Sequence, residues 1–305
     1  MARKHITFAG STIGEPWWSL GEVVADVLKP HGYDVTIEFE SASDRNIRWI
    51  TGRKAEVGST TPVHLQAALK GVHQFKGEVH RGLVSIATIK RPNWLALAVR
   101  HELGVSNLSQ FKKMKYPLRI MAANRSKGDQ LDTVLRHYGM SMEEIESWGG
   151  RFMKWSGRAN APYVWEGGVD MMLGNTYLGY TPHNWYWYQA TMLNEMRFLD
   201  FDKALISKLV KNFGFVRGTI PHGLFRGLDR DIPSVMSDTI YIYCLESQPD
   251  NLIRHIVEGL DKNADLFKYK RSVFYYEREE VWKNPHIPLH PAAEKYYRSR
   301  GYMKS

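Results

Sequence analysis

A chain of 305 residues, 43% hydrophobic and 24% charged, is long enough to bury two ordinary cores. Its longest apolar runs, such as Asn93–Val99, fall far short of the roughly 18–20 residues a membrane-spanning helix needs, so no direct membrane insertion is expected. The net charge of +9 is scattered and interrupted by acids, as in "YEREEVWK", with no zinc-finger, RNA-recognition or basic-zipper pattern, so no nucleic-acid partner is expected.

A positive field of this kind can serve to steer small anions into a cleft, to dock a partner or only to keep the protein in solution. The lone cysteine, Cys244, lies in the apolar stretch "TIYIYCLES" and reads as a small core residue. The opening "MARKHITFAG" has basic residues but no apolar leader. It fits a periplasmic protein freed of its export signal and a cytoplasmic one alike.

In chain order, Ile6–Ala9 predicts a strand and Leu20–Leu28 a helix, with Val23, Val24 and Val27 on one face. "VTIEF" alternates as a strand, Asn46–Thr51 continues as a helical turn, Glu56–Ser59 as a strand and Pro62–Leu69 as a helix. "HRGLVSIATI" and "NWLALAVR" predict two more strands. The rhythm restarts with "LRIMAA", a polar turn and the helix of "QLDTVLRHYG", followed by strand-like "RFMKWS". "NAPYVWEGG" predicts a helix and "VDMMLGN" a strand. "TIYIYCLES" predicts a strand that returns the chain to the first lobe, before the helix of "QPDNLIRHIVEGLDKNADLF". The fold class expected is α/β, with two lobes of mainly parallel sheet flanked by helices. Lobe I takes residues 1–97 plus 242–305 and lobe II residues 98–241, with two crossing strands as a hinge.

Four strand ends run into small polar turns. After Ala9 come Ser11 and Thr12, with Trp17 and Trp18 offering a flat apolar wall at the mouth of the next helix. The second turn is Glu40–Asn46, the third Gly58–Pro62 and the fourth Ala123–Gln130, which adds Arg125 and Lys127. Such turns present free N–H groups, hydroxyls and the positive end of a helix dipole, a combination suited to carboxylate or phosphate oxygens. Ser, Thr and Asp also cap helices, so each single turn has a purely structural reading as well. The fourth turn lacks Walker spacing. His286 and His290 sit in "NPHIPLHP", where prolines prevent a helical metal pair, and no metal or cofactor is expected. His183 lies among aromatics in "TPHNWYWYQA".

Several blocks, in order over nearly the whole chain, resemble the TAXI family, the solute receptors of TRAP transporters. They are "GSTIGEPWWSLGEVVADVLK", "SASDRNIRWITGRKAEVGSTTP", "MAANRSKGDQLDTVLRHYGMSMEEI", "WEGGVDMMLGN" and the closing "IPLHPAAEKYYRSRG". The resemblance implies a two-lobed periplasmic-binding-protein-like fold (type II) that closes on a small carboxylate. By matching position it implies contacts from Ser11, Thr12, Trp17 and Trp18, from Ser43 and Asn46, and from Ser59, Thr60 and Thr61. In the second lobe it implies Asn124, Arg125, Ser126, Asp129 and Asn175. The chain departs from the family at Glu15-Pro16, at Asp44-Arg45 and in the charged turn Arg125–Asp129, where Lys127 stands. Arg45, Arg125 and Lys127 point to one or two carboxylates, and the tryptophans to an apolar or aromatic body.

A solute receptor partnered by membrane transporter subunits is one reading. A cytoplasmic lyase or decarboxylase on the same scaffold is another, with Glu15, Asp129 or His183 as acid or base. A ligand sensor is the third.

Overall fold

Strand and helix alternate along most of the chain, and the computed structural model describes residues 4–11, 13, 16–38, 43–155, 168–178, 184–269 and 273–303. Strands β1 (Lys4–Ala9), β2 (Tyr33–Glu38), β3 (Val57–Thr60) and β4 (Leu83–Lys90) alternate with helices α1 (Pro16–Leu28), α2 (Ser43–Thr51) and α3 (Pro62–Lys70). Next come β5 (Asn93–Arg100), α4 (Ser109–Met114), β6 (Arg119–Ala122), α5 (Gln130–His137), α6 (Met142–Ser147), β7 (Arg151–Lys154) and β8 (Met171–Tyr177). Then follow α7 (Trp185–Leu193), β9 (Met196–Phe198), α8 (Lys203–Phe213), β10 (Val216–Ile220) and β11 (Ile232–Met236). β12 (Thr239–Leu245), α9 (Asp250–Lys262), α10 (Leu266–Tyr269) and α11 (Pro291–Ser299) end the trace. The chain divides into two compact units, Met1–Pro92 with Ser237–Ser305, and Asn93–Met236.

The first unit is built on a sheet of order β2-β1-β3-β12-β4. β1 pairs with β2 and β3 in parallel, and β12 inserts antiparallel between β3 and β4. Tyr241 of β12 is level with Thr60 on one side and Thr88 on the other, so the C-terminal ends of β3 and β4 reach the same sheet edge. Helix α3 shows why its sequence folds locally as it does. Thr61 caps its start, Pro62 supplies a preset φ in the first turn, and Gly71 ends it at φ 64°, a left-handed conformation that glycine adopts without strain.

Helix α9 buries Leu252, Ile253, Ile256, Val257 and Leu260, the apolar stripe expected of an amphipathic helix. At Gly259 it approaches α1 so closely that an added Cβ would lie 2.5 Å from Val27 Cβ. Gly259→Ala is therefore expected to destabilise the protein. Overpacking costs about 1–3 kcal/mol, and the helix-propensity gain of about 1 kcal/mol offsets only part of it. A lower urea midpoint at unchanged slope is the result expected, and an unchanged or higher midpoint contradicts the close contact.

The second unit carries a sheet of order β10-β11-β5-β8-β6-β7, with β9 also paired to β5. Both sheets are mixed. In the second, only β8-β6-β7 is parallel, whereas β5 runs antiparallel to β8, β9 and β11. The strand-then-helix rhythm indicated a more uniformly parallel sheet. The difference lies in β5, which runs against each of its neighbours in this sheet, and in the antiparallel pair of β10 and β11. Its core gathers Trp94, Met121, Met172, Trp187, Phe198 and Phe225. Arg119 on β6 and the buried Asp170 before β8 form a two-pronged pair, with Nε–Oδ2 at 2.8 Å, while the Arg119 amide also donates to Asp170 at 2.9 Å. The aspartate of "GGVD" thus serves to align two strands. The helix expected in "NAPYVWEGG" falls on residues largely outside the described set. Among the described residues no helix is long and apolar enough to cross a membrane.

Candidate functional site

In the first unit the strand-end turns converge on Asn46. Its side chain, fully buried in the first turns of α2, donates to the carbonyl of Gly10 after β1 at 2.9 Å and to that of Ser59 on β3 at 3.0 Å. One amide thereby ties the second turn to the first and third. Two donated hydrogen bonds also fix the orientation of the amide and leave Oδ1 as its acceptor. Among the described residues, Asn46 Oδ1, Ser59 Oγ and Thr60 Oγ1 are buried with no hydrogen-bond partner. Ser59 and Thr60 are 0% exposed.

The remaining first-unit residues named above have mixed roles. Thr61 is a helix cap whose hydroxyl lies 2.7 Å from His64 Nδ1. Trp17 and Trp18 are half-buried in the first turn of α1, as is Ser11 before it. Arg45 is exposed. Thr12, Glu15 and His183 lie outside the described residues, and so does the side chain of Ser43.

In the second unit the charged turn is largely occupied by its own contacts. Asn124 Oδ1 accepts from the Arg125 amide at 2.9 Å and from Ser126 Oγ at 3.1 Å. The Arg125 guanidinium forms an ion pair with Glu146 and sits 5.7 Å over the ring of Phe152. Asp129 caps α5 through Asp132 N at 2.9 Å, and burial raises its carboxyl above the usual carboxylate range. Lys127 is exposed. Asn175 has an exposed side chain, and its carbonyl accepts from Trp187 Nε1 at 2.8 Å and from the Tyr186 hydroxyl. Capping and internal pairing thus account for the visible geometry of this turn.

Two residues that the sequence reading passed over stand at the first unit's sheet edge. Arg91, directly after β4, is only 4% exposed, and its amide donates to Asp238 O at 2.6 Å. His64 is in the first turn of α3. Burial, together with the charge of Arg91 and against that of Asp44, lowers its imidazole to about 4, so the ring is neutral at pH 7. In sequence, "IKRPNW" looks like an ordinary basic turn, and only the sheet order carries it to this edge.

The closing block does a different job. His290 is buried, caps α11 through Ala292 N at 3.2 Å and contacts Gln248 O at 3.1 Å. The hydroxyl of fully buried Tyr297 donates to Ile86 O at 3.0 Å. Tyr296 and Tyr302 both donate to the carboxylate of Asp261 on α9, which Arg278 and Arg300 also pair. His286 lies 3.3 Å from the Gln66 amide. Cys244 is buried on β12, and burial pushes its thiol up. No group of three or more His, Cys, Asp and Glu side chains gathers as a metal site among the described residues.

A family model described as the NMT1-like family matches residues 8–301. No curated protein matches the sequence. Among solved structures, MatC from Rhodopseudomonas palustris, determined with bound malate, is similar over 98% of this chain and 95% of its own, at 11% identity and a TM-score of 0.50. A binding protein component of an ABC phosphonate transporter from Pseudomonas aeruginosa is similar over 90% of this chain and 82% of its own, at 12% identity and a TM-score of 0.50. Likeness at such identity shows the fold, which is the α/β fold of periplasmic binding proteins.

Proposed function

Because the chain belongs to the NMT1-like family and has a periplasmic-binding-protein-like fold, we infer that it is a solute-binding protein that captures a small carboxylate and presents it to membrane transporter subunits. The observation that carries this reading is the trio of buried polar atoms, Asn46 Oδ1, Ser59 Oγ and Thr60 Oγ1. Protein interiors seldom leave such groups unsatisfied. Here all three lie on or directly beside the end of β3 in an open α/β sheet, and strand ends are the usual place for ligands in such folds. The Ser59 and Thr60 hydroxyls can donate to carboxylate oxygens, whereas Asn46 Oδ1 only accepts and would be completed by a hydroxyl or ammonium group on the same solute. MatC, whose structure contains the small dicarboxylate malate, offers a parallel for the ligand class. In this role the protein acts in the periplasm. The narrower assignment, a TAXI receptor serving a TRAP transporter, rests on the sequence blocks quoted above.

The reading is tested by isothermal titration with succinate, L-malate, L-glutamate and benzoate. At least one is expected to bind, and the double variant Ser59→Ala, Thr60→Val to bind it about tenfold more weakly, each lost neutral hydrogen bond being worth about 0.5–1.5 kcal/mol. Wild-type protein that binds none of the four, or a variant that binds as wild type does, overturns it.

A further inference from the structure

We propose that Arg91 and His64 form the charge-reading pair of this solute site, Arg91 holding the ligand's anionic group and His64 hydrogen-bonding to it. The inference rests on the solute-binding reading and assigns residues that the sequence blocks did not include.

Thr60 and Thr88 flank Tyr241 at the same level of the sheet, and Lys90 is level with Thr239 at its edge. Arg91 follows at once, anchored through its amide to Asp238, and His64 stands four residues beyond Thr60. Both therefore belong to the edge that holds Ser59 and Thr60. In a chain with 41 lysines and arginines, most in solvated positions, an arginine only 4% exposed fixes a positive charge at the end of β4. Guanidinium matches carboxylate in a planar fork, which selects a carboxylate or similar oxyanion over a neutral solute.

The imidazole is equally well defined. Thr61 Oγ1 engages Nδ1 at 2.7 Å, leaving Nε2 as the ring's other hydrogen-bonding atom. Two charges act on the ring, Asp44 from α2 favouring the imidazolium and Arg91 from the end of β4 opposing it, and burial opposes it further. An anion docked on Arg91 cancels that opposition. Burial, the largest cause, still holds the imidazole low, but with the opposition of Arg91 removed it rises above its ligand-free value of about 4, so that binding takes up some proton on the acid side of neutrality.

The test uses the full chain and the strongest binder among succinate, L-malate, L-glutamate and benzoate. By titration calorimetry near neutral pH, Arg91→Gln is expected to bind that probe about ten- to a hundredfold more weakly, as loss of a charge-assisted hydrogen bond requires. A variant that binds within twofold of wild type overturns the assignment and leaves the solute-binding reading intact. A second readout needs no folded variant at Arg91. The imidazole signal of His64, identified by its loss in His64→Gln, is followed against pH with and without the probe. An upward shift of its titration on binding supports the pair, and an unmoved titration overturns it. If no probe binds wild-type protein, the solute-binding reading fails first and this inference with it.

Discussion

Replacing Asp261 with alanine is expected to lower the stability of the protein by about 3 kcal/mol, the order expected from losing hydrogen bonds to a buried charged group. The carboxylate is 3% exposed and accepts from Tyr296 at 2.8 Å and Tyr302 at 2.8 Å. Arg278 and Arg300 complete its surroundings at 3.1 and 3.2 Å, but both are more than half exposed, so solvent screens them and they add little. The two tyrosines carry the loss. The same group shapes the acid limb of the stability curve. Burial raises its carboxyl, but the hydrogen bonds from Tyr296, Tyr302 and Arg278 outweigh burial and hold it below the usual carboxylate range. Its contribution is fully present above about pH 4, the unfolded value, and is lost as pH falls through the lower folded value. Asp261→Asn should flatten that limb. Urea unfolding at neutral and acid pH reads both effects, and an Asp261→Ala midpoint equal to wild type would contradict the account.

Asn46→Ala is expected to damage both stability and binding. Its amide is the donor that joins Gly10 to Ser59 in the interior, and a buried acceptor deprived of its donor costs about 1–3 kcal/mol. The substitution also deletes Oδ1, an acceptor that can serve a hydroxyl or ammonium donor of the solute. Unfolding in urea together with titration of the best carboxylate probe is expected to show a lower midpoint and an affinity loss of about tenfold. Wild-type affinity in a destabilised variant would reduce Asn46 to a structural tie and move the solute elsewhere.

Much of the fold was legible because its signals are local. The strand β1, the amphipathic α1 and α9, and the capped α3 each declare themselves through spacing, Thr61, Pro62 or a terminal glycine. Residues 185–236 carry no clear local signal, for physical reasons. In α7, Tyr186, Trp187, Gln189, Ala190 and Thr191 are all buried, so no single apolar stripe exists to betray the helix. In β11, Pro233 interrupts the usual strand pattern in a five-residue segment.

Of the proposed site, the sequence names Asn46, Ser59 and Thr60 in polar turns after strands, and the structure buries all three, whereas Thr61 and Asp129 cap helices, as the same residue types often do. Arg91 and His64 escaped because their neighbourhood depends on β12 inserting between β3 and β4, a long-range pairing that no local pattern records. The closing "HPAAEKYYRSRG" fastens the C-terminal helix to α9 and β4.

The central claim is capture of a small carboxylate without conversion, and one measurement addresses it directly. Purified protein is mixed at near-stoichiometric concentration with a panel of mono- and dicarboxylates, and mass spectrometry follows free and denaturation-released compounds over time. The account predicts that one compound is withdrawn from solution and released with its mass unchanged. A compound released with a new mass, or a panel left wholly in solution, would contradict it.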